Sequence, residues 1–518
     1  LARFSDMIFS PTPSPDSRSV AFVVTSEVEG RLAPAIWVAA VDGQRLTRVF
    51  QTQPRAEDEE PPMPGFFGGI MSDLAYSKDG RTLFLREGRG IYALEMGAAA
   101  GAAAAPSPAA APGGPAQAAP GRGEQRRRLS FTALVEVDHR AERRQVFNES
   151  WRVMKHRFYD SKMHGIDWAR MKAVYEPLLD SVADQEEMHN VVSQMIGELN
   201  ASHTGISAGF GAGAGARPLQ TRYPGFELAA DPSGYYKVSH VYRKGPADHD
   251  YVRIHPGDFI LAIDDEELKA GDNYWRYYTA APGRKFKFLV NSKPSKDAAW
   301  EVRVQPVGGT QYATLQYEKW VEERRAMVDK LAAGEIAYLH IRQMNAESLR
   351  RFERELAENH LKKALIIDQR FNPGGGIDQE LLQVLQQKQY QYTRSRDSVE
   401  VTRPQRGFFG PMVVMQNERS TSDAEVFPQG FKDLKLGKVV GLPTYGAVIG
   451  TGSYSLMDGS SIRTPGTGLW TVRGENLENF GVQPDVLVDN TPEDFLKGRD
   501  AQLEKAIEVL REELKKKR

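Results

Sequence analysis

The chain has 518 residues, of which 41% are hydrophobic and 26% are charged, proportions that are ordinary for a globular protein. At about 150 residues per domain, this length predicts several domains. The formal net charge of -1 argues against a nucleic-acid partner, because nucleic-acid-binding proteins usually carry a basic excess. The absence of cysteine excludes disulfides, thiolate zinc sites, iron–sulfur clusters and a cysteine nucleophile.

The ends and the apolar runs of the sequence bear on localisation. No apolar run approaches the roughly 20 residues that a transmembrane helix needs, so we expect no membrane partner. The chain begins Leu1-Ala2-Arg3, without a Met or a signal-peptide pattern. This start predicts a processed or truncated amino end, which leaves export possible if a signal sequence has been removed.

Short strands are predicted in residues 1–144. The turn Ser14-Pro15-Asp16 precedes the apolar run Val20–Val24, and Ser77-Lys78-Asp79-Gly80 precedes Leu83–Leu85. A polar turn before a β-rich run, recurring at a long interval, is typical of propeller blades. Two units are fewer than the roughly four that close a propeller. We therefore predict the end of a β-propeller; packing of these strands on another part of the protein is the alternative.

An Ala-, Gly- and Pro-rich segment interrupts this region at about 97–121. Such a composition buries too little apolar surface to offset the entropy of ordering the chain. We predict a disordered insertion there.

A helical domain is predicted at 145–215. Val146, Trp151, Met154 and Phe158 have helical spacing, and a later amphipathic helix ends in the small polar stretch Asn200-Ala201-Ser202-His203-Thr204-Gly205.

Residues 220–305 have the pattern of a compact β domain. Gly245-Pro246-Ala247 is followed by Ile254-His255-Pro256-Gly257-Asp258 and then by the apolar strand Phe259–Ile263. This pattern resembles a PDZ domain, a fold that binds peptide termini along its sheet edge. A module used only for packing is the alternative.

Strands alternate with helices over 310–518. Ile336–Ile341, Leu365–Asp368, Met412–Met415 and Val439–Gly441 are apolar runs fit for burial in a partly parallel sheet. In such sheets the functional residues lie at the carboxyl ends of the strands.

Three segments that follow these strands carry candidate chemistry. Asn372-Pro373-Gly374-Gly375-Gly376 is a turn that opens a helix and could offer backbone N–H groups to an oxyanion. The turn Ser420-Thr421-Ser422-Asp423 could hold a serine on a sharp bend, although most serines at such places are helix caps. Glu475 and Glu478 lie in a third turn, where acidic side chains are usually only solvated.

These segments, in this order behind a PDZ-like domain, resemble the tricorn and C-terminal-processing peptidases. The order propeller, helical domain, PDZ-like domain and α/β core is similar to the C-terminal half of the tricorn family. The resemblance implies a multidomain protein: a partial β-propeller at 1–144, a small helical domain, a PDZ-like β domain and an α/β (ClpP/crotonase-like) catalytic core at 310–518.

Residue by residue, the resemblance implies a serine peptidase site. Ser422 matches the nucleophile, His203 the general base, Ser202 and Glu478 the supporting groups, and the amides of Gly375 and Asp423 the oxyanion hole. Because Gly374 is adjacent to Gly375, the match does not distinguish which of the two amides belongs to the oxyanion hole. Histidine has an ordinary pKa of about 6.5 and can accept a serine proton at neutral pH.

One departure separates the two branches of the group. The processing peptidases use a Ser/Lys dyad, with the lysine following Thr-aromatic-Gly; here that position holds Ala447. The base must therefore come from elsewhere. His203 is the candidate, and His340 on its predicted strand is the competitor.

The resulting expectation is a serine endopeptidase acting on peptides or oligopeptides, with no cofactor or metal. A Ser/Lys-type processing protease and a catalytically silent peptide-binding scaffold are the alternatives. The resemblance also implies a homo-oligomer, a hexamer, with a cytoplasmic location and a P1 pocket near Tyr392–Asp397. That segment carries both charge signs, so the P1 preference stays open.

Overall fold

A computed structural model of the protein describes residues 8–28, 31–51, 71–87, 90–96, 126–130, 136–208, 220–280 and 283–516. The chain divides into two compact units. The first comprises residues 1–136, 210–241 and 245–312, and the second 137–209, 242–244 and 313–518. The insertion predicted at 97–121 and the Gly-rich stretch at 209–215 lie outside the described residues.

The first unit begins with two four-stranded antiparallel sheets. The strands of one sheet are β1 (Ile8–Pro13), β2 (Ser19–Val28), β3 (Arg31–Ala40) and β4 (Leu46–Gln51). Those of the other are β5 (Met71–Tyr76), β6 (Thr82–Glu87), β7 (Gly90–Glu95) and β8 (Arg127–Leu129). The recurring polar turns predicted from the sequence are present in both. Ser14 Oγ donates to Asp16 and Ser77 Oγ to Asp79, each at 2.6 Å, so the repeated sequence forms the same turn twice.

A third antiparallel sheet of this unit follows, in the order β11-β12-β13-β16-β17, with β14 paired to β13 and β10 paired separately to β15. Its strands are β10 (Gln220–Thr221), β11 (Phe226–Ala230), β12 (Tyr236–Val241), β13 (Phe259–Ile263), β14 (Glu266–Glu267), β15 (Thr279–Ala280), β16 (Phe286–Asn291) and β17 (Trp300–Val304). The predicted turn before β13 is closed by Asp258, whose carboxylate accepts from the amide of His255 at 2.8 Å. All five residues of β13 are buried, as its unbroken apolar sequence predicts.

The second unit begins with three helices, α1 (His139–Arg157), α2 (Trp168–Tyr175) and α3 (Gln185–Gly197). Each starts after an aspartate, Asp138, Asp167 or Asp184, whose side chain accepts hydrogen bonds from the first-turn amides. Beyond α2 the chain continues as a 3-10 turn over Glu176–Ser181, which has Pro177 in its first turn.

The core of the second unit is a five-stranded parallel sheet in the order β18-β19-β22-β23-β26. Its strands are β18 (Ile336–His340), β19 (Ala364–Asp368), β22 (Met412–Gln416), β23 (Gly437–Gly441) and β26 (Val486–Leu487), and the hairpin strands β20 (Gln391–Arg394) and β21 (Glu400–Arg403) lie outside it. The helices are α4 (Gly309–Leu331), which starts in the first unit, α5 (Ala346–Glu358), α6 (Asp378–Leu385), α7 (Asp423–Asp433), α8 (Pro492–Leu496) and α9 (Ala501–Lys516). Apolar clusters cover both faces, which explains why the central strands have unbroken apolar sequences.

A three-stranded sheet connects the helices of this unit to its α/β part. β9 (Gly205–Ser207) pairs with β25 (Ser461–Gly468), which in turn pairs with β24 (Ile449–Ser455). Because β9 begins two residues after His203, this pairing fixes the end of the helical segment against the segment that follows β23.

Candidate active site

Ser422 lies in a sharp turn between β22 and α7. Its backbone has φ 58° and ψ -124°, a left-handed conformation that residues other than glycine rarely adopt. Strained backbone of this kind concentrates at functional sites. A serine held between a strand and a helix in this way is presented beyond the end of the sheet, as a nucleophile must be.

The Gly-rich turn after β19 packs directly against Ser422. A Cβ added to Gly374 would lie 2.7 Å from both the Ser422 Cβ and the Thr421 carbonyl oxygen, so no side chain fits there. The amide of Thr421 also donates to the carbonyl oxygen of Asn372 at 3.0 Å. The two turns that the sequence analysis singled out are therefore in contact.

Two amides at this junction match the expected oxyanion hole. Within the described part of the chain, the amides of Gly375 and Asp423 donate no hydrogen bond to the protein. Their neighbours are occupied: the amide of Gly374 donates to Asn372 Oδ1 at 2.9 Å and that of Ser422 to Glu425 Oε1 at 3.1 Å. Of the two adjacent glycines, Gly375 is thus the one with a donor available to an oxyanion.

The Asp423 side chain connects the segment after the Gly-rich turn to the turn that carries Ser422. Its Oδ2 accepts from the amides of Ile377 at 2.7 Å and Asp378 at 3.2 Å, which joins the start of α6 to the start of α7. Burial is the main reason that the pKa of Asp423 rises to about 7, and the nearby Asp378 carboxylate raises it further.

His203 lies in a second cluster with Ser202 and Glu478. His203 Nδ1 is 3.0 Å from Ser202 Oγ, and Ser202 Oγ donates to Glu478 Oε2 at 3.1 Å. Glu478 Oε1 accepts from the Ser202 amide at 2.6 Å. Because the Ser202 proton points to the carboxylate, its oxygen must accept from Nδ1–H. His203 Nε2 therefore keeps its lone pair, as a general base requires.

The surroundings of His203 favour its neutral form. Burial lowers the pKa of the imidazole below its ordinary value, and the positive charge of Arg463 lowers it further. The Glu478 carboxylate acts in the opposite direction and raises the pKa, but it does not outweigh the other two. At neutral pH the His203 imidazole is therefore mainly in the neutral form, which can accept a proton.

The segment Thr444–Val448 links the serine cluster to the histidine cluster. Its Gly446 and Ala447 amides each donate to Glu425 at 2.7 Å, and the Val448 amide donates to Glu478 Oε2 at 2.7 Å. Glu425 in turn accepts from the amide of Ser422. The structure thus joins both clusters through one loop; among the described residues, no hydrogen bond links His203 to Ser422 directly.

Glu425 is a residue of this arrangement that the sequence analysis missed. It is fully buried, and Thr444 Oγ1 adds a donor at 2.5 Å to the three backbone amides that it accepts from. Burial raises the pKa of Glu425, while these hydrogen bonds oppose that rise. An acidic residue three positions after a helix-capping serine is the sequence pattern that could have revealed it.

His340, the competing base, does not meet the requirements of that role. It is buried at 5% exposure within β18, and its Nε2 is 2.7 Å from the Tyr317 hydroxyl. Burial lowers the pKa of His340 to about 4. A side chain enclosed in the sheet is poorly placed to reach a peptide, which argues against His340 as the base.

The segment Tyr392–Asp397 forms part of the exposed hairpin β20–β21. The Tyr392 side chain is 59% exposed, and Arg394 pairs with Glu400 across the hairpin. This geometry does not test the P1 pocket expected there, which stays a prediction.

Comparisons with known proteins show which family the chain resembles. Residues 335–488 match Peptidase family S41, and residues 139–197 match the Tricorn protease C1 domain. Tricorn protease homolog 1 of Streptomyces coelicolor is 31% identical over 72% of this chain and 35% of its own length. Tricorn protease of Thermoplasma acidophilum is 28% identical over 72% of this chain and 35% of its own length.

A crystal structure of the tricorn protease superposes with a TM-score of 0.75 at 24% identity, over 96% of this chain and 46% of that one. The matches place this chain in peptidase family S41, with similarity to the tricorn proteases. The chain spans less than half the length of these relatives. Within the described residues, no helix is long and apolar enough to cross a membrane.

Gly375→Ala is expected to lower the catalytic rate more than it lowers the stability of the second unit. Its φ is +151°, and an added Cβ would lie 1.9 Å from the Met344 carbonyl oxygen, so the turn and its amide must shift. Loss of one oxyanion donor lowers kcat by about 10²- to 10³-fold. Steady-state kinetics on a fluorogenic peptide, together with a thermal melt, measures both effects.

Gly376→Ala is the matched control, because a Cβ at Gly376 meets no atom within 4 Å. It should keep wild-type kinetics. Equal losses in the two variants would argue against an oxyanion role for Gly375.

Proposed function

We propose that this chain is a serine endopeptidase that hydrolyses peptides and oligopeptides, with Ser422 as nucleophile and His203 as general base. The observation that carries the proposal is the one-way hydrogen bonding from His203 Nδ1 through Ser202 Oγ to Glu478, which leaves Nε2 free to take a proton. The strained turn at Ser422 and the two unoccupied amides beside it supply the other parts that acyl transfer requires.

In the first step His203 Nε2 removes the Ser422 hydroxyl proton as Oγ attacks the carbonyl carbon of the scissile bond. The carbonyl oxygen becomes an oxyanion and accepts hydrogen bonds from the Gly375 and Asp423 amides. The Glu478 charge, relayed through Ser202, stabilises the imidazolium that has formed.

Collapse of this intermediate breaks the C–N bond, and the imidazolium gives its Nε2 proton to the departing amine. An acyl ester on Ser422 remains. A water molecule, deprotonated by His203, then attacks the ester, and its collapse returns the proton to Ser422 and releases the acid product. Each proton that leaves the serine or the water is thus returned within the same site.

The residue at the lysine position argues against the Ser/Lys alternative. Ala447 occupies the lysine position, is 4% exposed, and offers only a methyl group. Its amide is instead bound to Glu425.

A serine-directed fluorophosphonate distinguishes the enzyme from a silent peptide-binding scaffold. We expect one covalent adduct, located at Ser422 by mass spectrometry of the digested protein, since only an activated hydroxyl displaces the fluoride readily. Labelling should weaken as the pH falls and His203 becomes protonated. A chain that binds peptides but takes no label at Ser422 would be a scaffold.

The remaining features are proposed from the resemblance. We infer that the sheet of residues 220–305 is PDZ-like, that the amino-terminal sheets are the last blades of a propeller, and that the α/β core is ClpP/crotonase-like. We further infer a homo-hexamer in the cytoplasm, without metal or cofactor. Light scattering on the full gene product would measure the subunit number directly.

A further inference from the structure

A chain of polar side chains lies behind the proposed base and acid. Tyr159 follows α1, His164 lies in the next turn, and Asn476 precedes Glu478 by two residues. The Tyr159 hydroxyl is 2.6 Å from His164 Nε2 and accepts from Asn476 Nδ2 at 3.2 Å. Although Asn476 is distant in sequence from the other two, the three side chains form one continuous connection within the second unit.

The hydrogen bonds of this chain run in a single direction. The Leu199 carbonyl can only accept, so His164 Nδ1, 2.8 Å away, carries the proton and Nε2 accepts from the Tyr159 hydroxyl. The Glu478 amide can only donate, and it donates to Asn476 Oδ1 at 3.0 Å, which turns the Asn476 NH₂ group toward Tyr159. Every donor therefore meets an acceptor from the Glu478 amide to the Leu199 carbonyl.

This chain of polar side chains ends at the loop that carries His203 and at the loop that carries Glu478. Leu199 begins the short stretch that leads to Ser202 and His203, and the other end is the backbone of Glu478. A parallel connection runs beside it, because Asn479 Nδ2 donates to the Asn200 carbonyl at 2.9 Å. The polar chain thus sets the spacing between the loop of the base and the loop of the acid.

The local backbone around His164 is strained to make this connection. Met163 and His164 both have left-handed φ angles, 53° and 54°, which is uncommon for side-chain-bearing residues. The Asp160 carboxylate holds the turn by accepting from the His164 amide at 2.9 Å. The ring of His164 packs edge-on against Phe158 and Tyr159, with centroids 4.9 and 5.3 Å away. Strain that persists at a packed site points to a role for the residue it presents.

We propose that Tyr159, His164 and Asn476 are positioning residues that hold the Glu478 backbone, and through it the Glu478 carboxylate, against Ser202 and His203. This rests on the proposed function, in which His203 is the base. None of the three contacts the reacting atoms; they act through Glu478. Removing the Tyr159 hydroxyl leaves His164 Nε2 and the Asn476 amide unpaired, which loosens the loop that carries the acid.

Displacing the Glu478 carboxylate is expected to change the pKa of His203 in one direction. His203 faces the negative charge of Glu478 and the positive charge of Arg463, with the neutral Ser202 between base and acid. Glu478 is the group that raises the pKa of His203, so a carboxylate held less closely lets that pKa fall. Tyr159 itself stays neutral near pH 7, because burial raises the pKa of its phenol, with Glu478 and Asp160 adding to the rise.

The test compares Tyr159→Phe with Tyr175→Phe. Tyr175 lies on α2 in the same helical layer and donates to Glu198 at 2.7 Å, but has no hydrogen bond toward Asn476. We expect Tyr159→Phe to lower kcat by about 10- to 10²-fold with KM unchanged, the loss typical of a misplaced catalytic group. Its acid limb in kcat should move to lower pH. Tyr175→Phe should change neither, and Asn476→Ala should repeat the effect of Tyr159→Phe.

A second readout does not need turnover. The ring carbon of His203, labelled with ¹³C and assigned by its absence in His203→Gln, reports the His203 pKa by NMR in the Ser422→Ala background. A lowered His203 pKa in Tyr159→Phe and Asn476→Ala, but not in Tyr175→Phe, supports the positioning role. This holds even if the wild-type protein hydrolyses no peptide, and in that case only the proposed function fails. The positioning role alone is overturned if hydrolysis depends on Ser422 but Tyr159→Phe and Asn476→Ala leave both kcat and the His203 pKa unchanged.

Discussion

Ser422→Ala is expected to abolish peptide hydrolysis while the protein stays folded. The variant keeps the Gly375 and Asp423 amides and the peptide contacts, which alone leave about 10³- to 10⁴-fold over the uncatalysed rate. The missing hydroxyl costs little stability, because a serine at a helix start contributes at most about 1–2 kcal/mol. Hydrolysis of fluorogenic peptides and a circular-dichroism melt measure the two quantities.

Ser420→Ala is the matched control for this prediction. Ser420 lies in the same turn, but its side chain is fully buried and donates to the Gln369 carbonyl at 3.2 Å. It should lose about 1 kcal/mol of stability and keep most of its activity. A fully active Ser422→Ala, or a Ser422→Ala that unfolds, would contradict the assignment of the nucleophile.

The strands that carry the site were predictable because burial on both faces demands unbroken apolar sequence. Ala364–Asp368 and Met412–Gln416 are present at the positions of the predicted apolar runs, and the polar turns that follow them contain Gly375 and Ser422. The roles of Gly375 and Ser422 could be assigned only through the family resemblance, since a serine before a helix is far more often a cap than a nucleophile.

Other parts of the site could not be predicted because they depend on contacts between distant segments. β9 has three residues, Gly205–Ser207, too few to show any periodicity, yet its pairing with β25 fixes His203. Glu425 resembles an ordinary first-turn glutamate in sequence, and only its complete burial beneath Thr444 and two amides shows its role.

Histidines illustrate the same limit. In the sequence, His203 lies in a small polar stretch, whereas His340 lies in the apolar run Ile336–Ile341. The structure separates them by enclosing His340 in the parallel sheet and by giving His203 a relay to a carboxylate. The apolar run around His340 indicates its burial, but the hydrogen bonds of His203 depend on Glu478, which is distant in sequence, and no local pattern specifies them.

His203→Ala is expected to lower kcat/KM by about 10⁴-fold or more, because the serine then has no group to take its proton. In wild-type protein, kcat/KM should rise with pH through one apparent pKa as His203 becomes neutral. Because burial and Arg463 lower the pKa of His203, this limb should lie below the ordinary histidine value of about 6.5. The variant should lose the limb and keep only a flat residual rate between about pH 5 and 9, the range in which imidazoles titrate.

His189 provides a demanding control because it has the same kinds of partner as His203. Its Nε2 is 2.8 Å from Ser460 Oγ, which donates to Asp458 at 2.7 Å, and burial lowers the pKa of His189 as well. In this second set, however, the nitrogen that faces the serine is Nε2 and the serine is fully buried, so the set joins α3 to the β24–β25 hairpin rather than facing a peptide. His189→Ala should therefore lose stability and retain the acid limb. If His203→Ala kept that limb and His189→Ala removed it, the relay beside Glu478 would not contain the base, and the choice of His203 would be wrong.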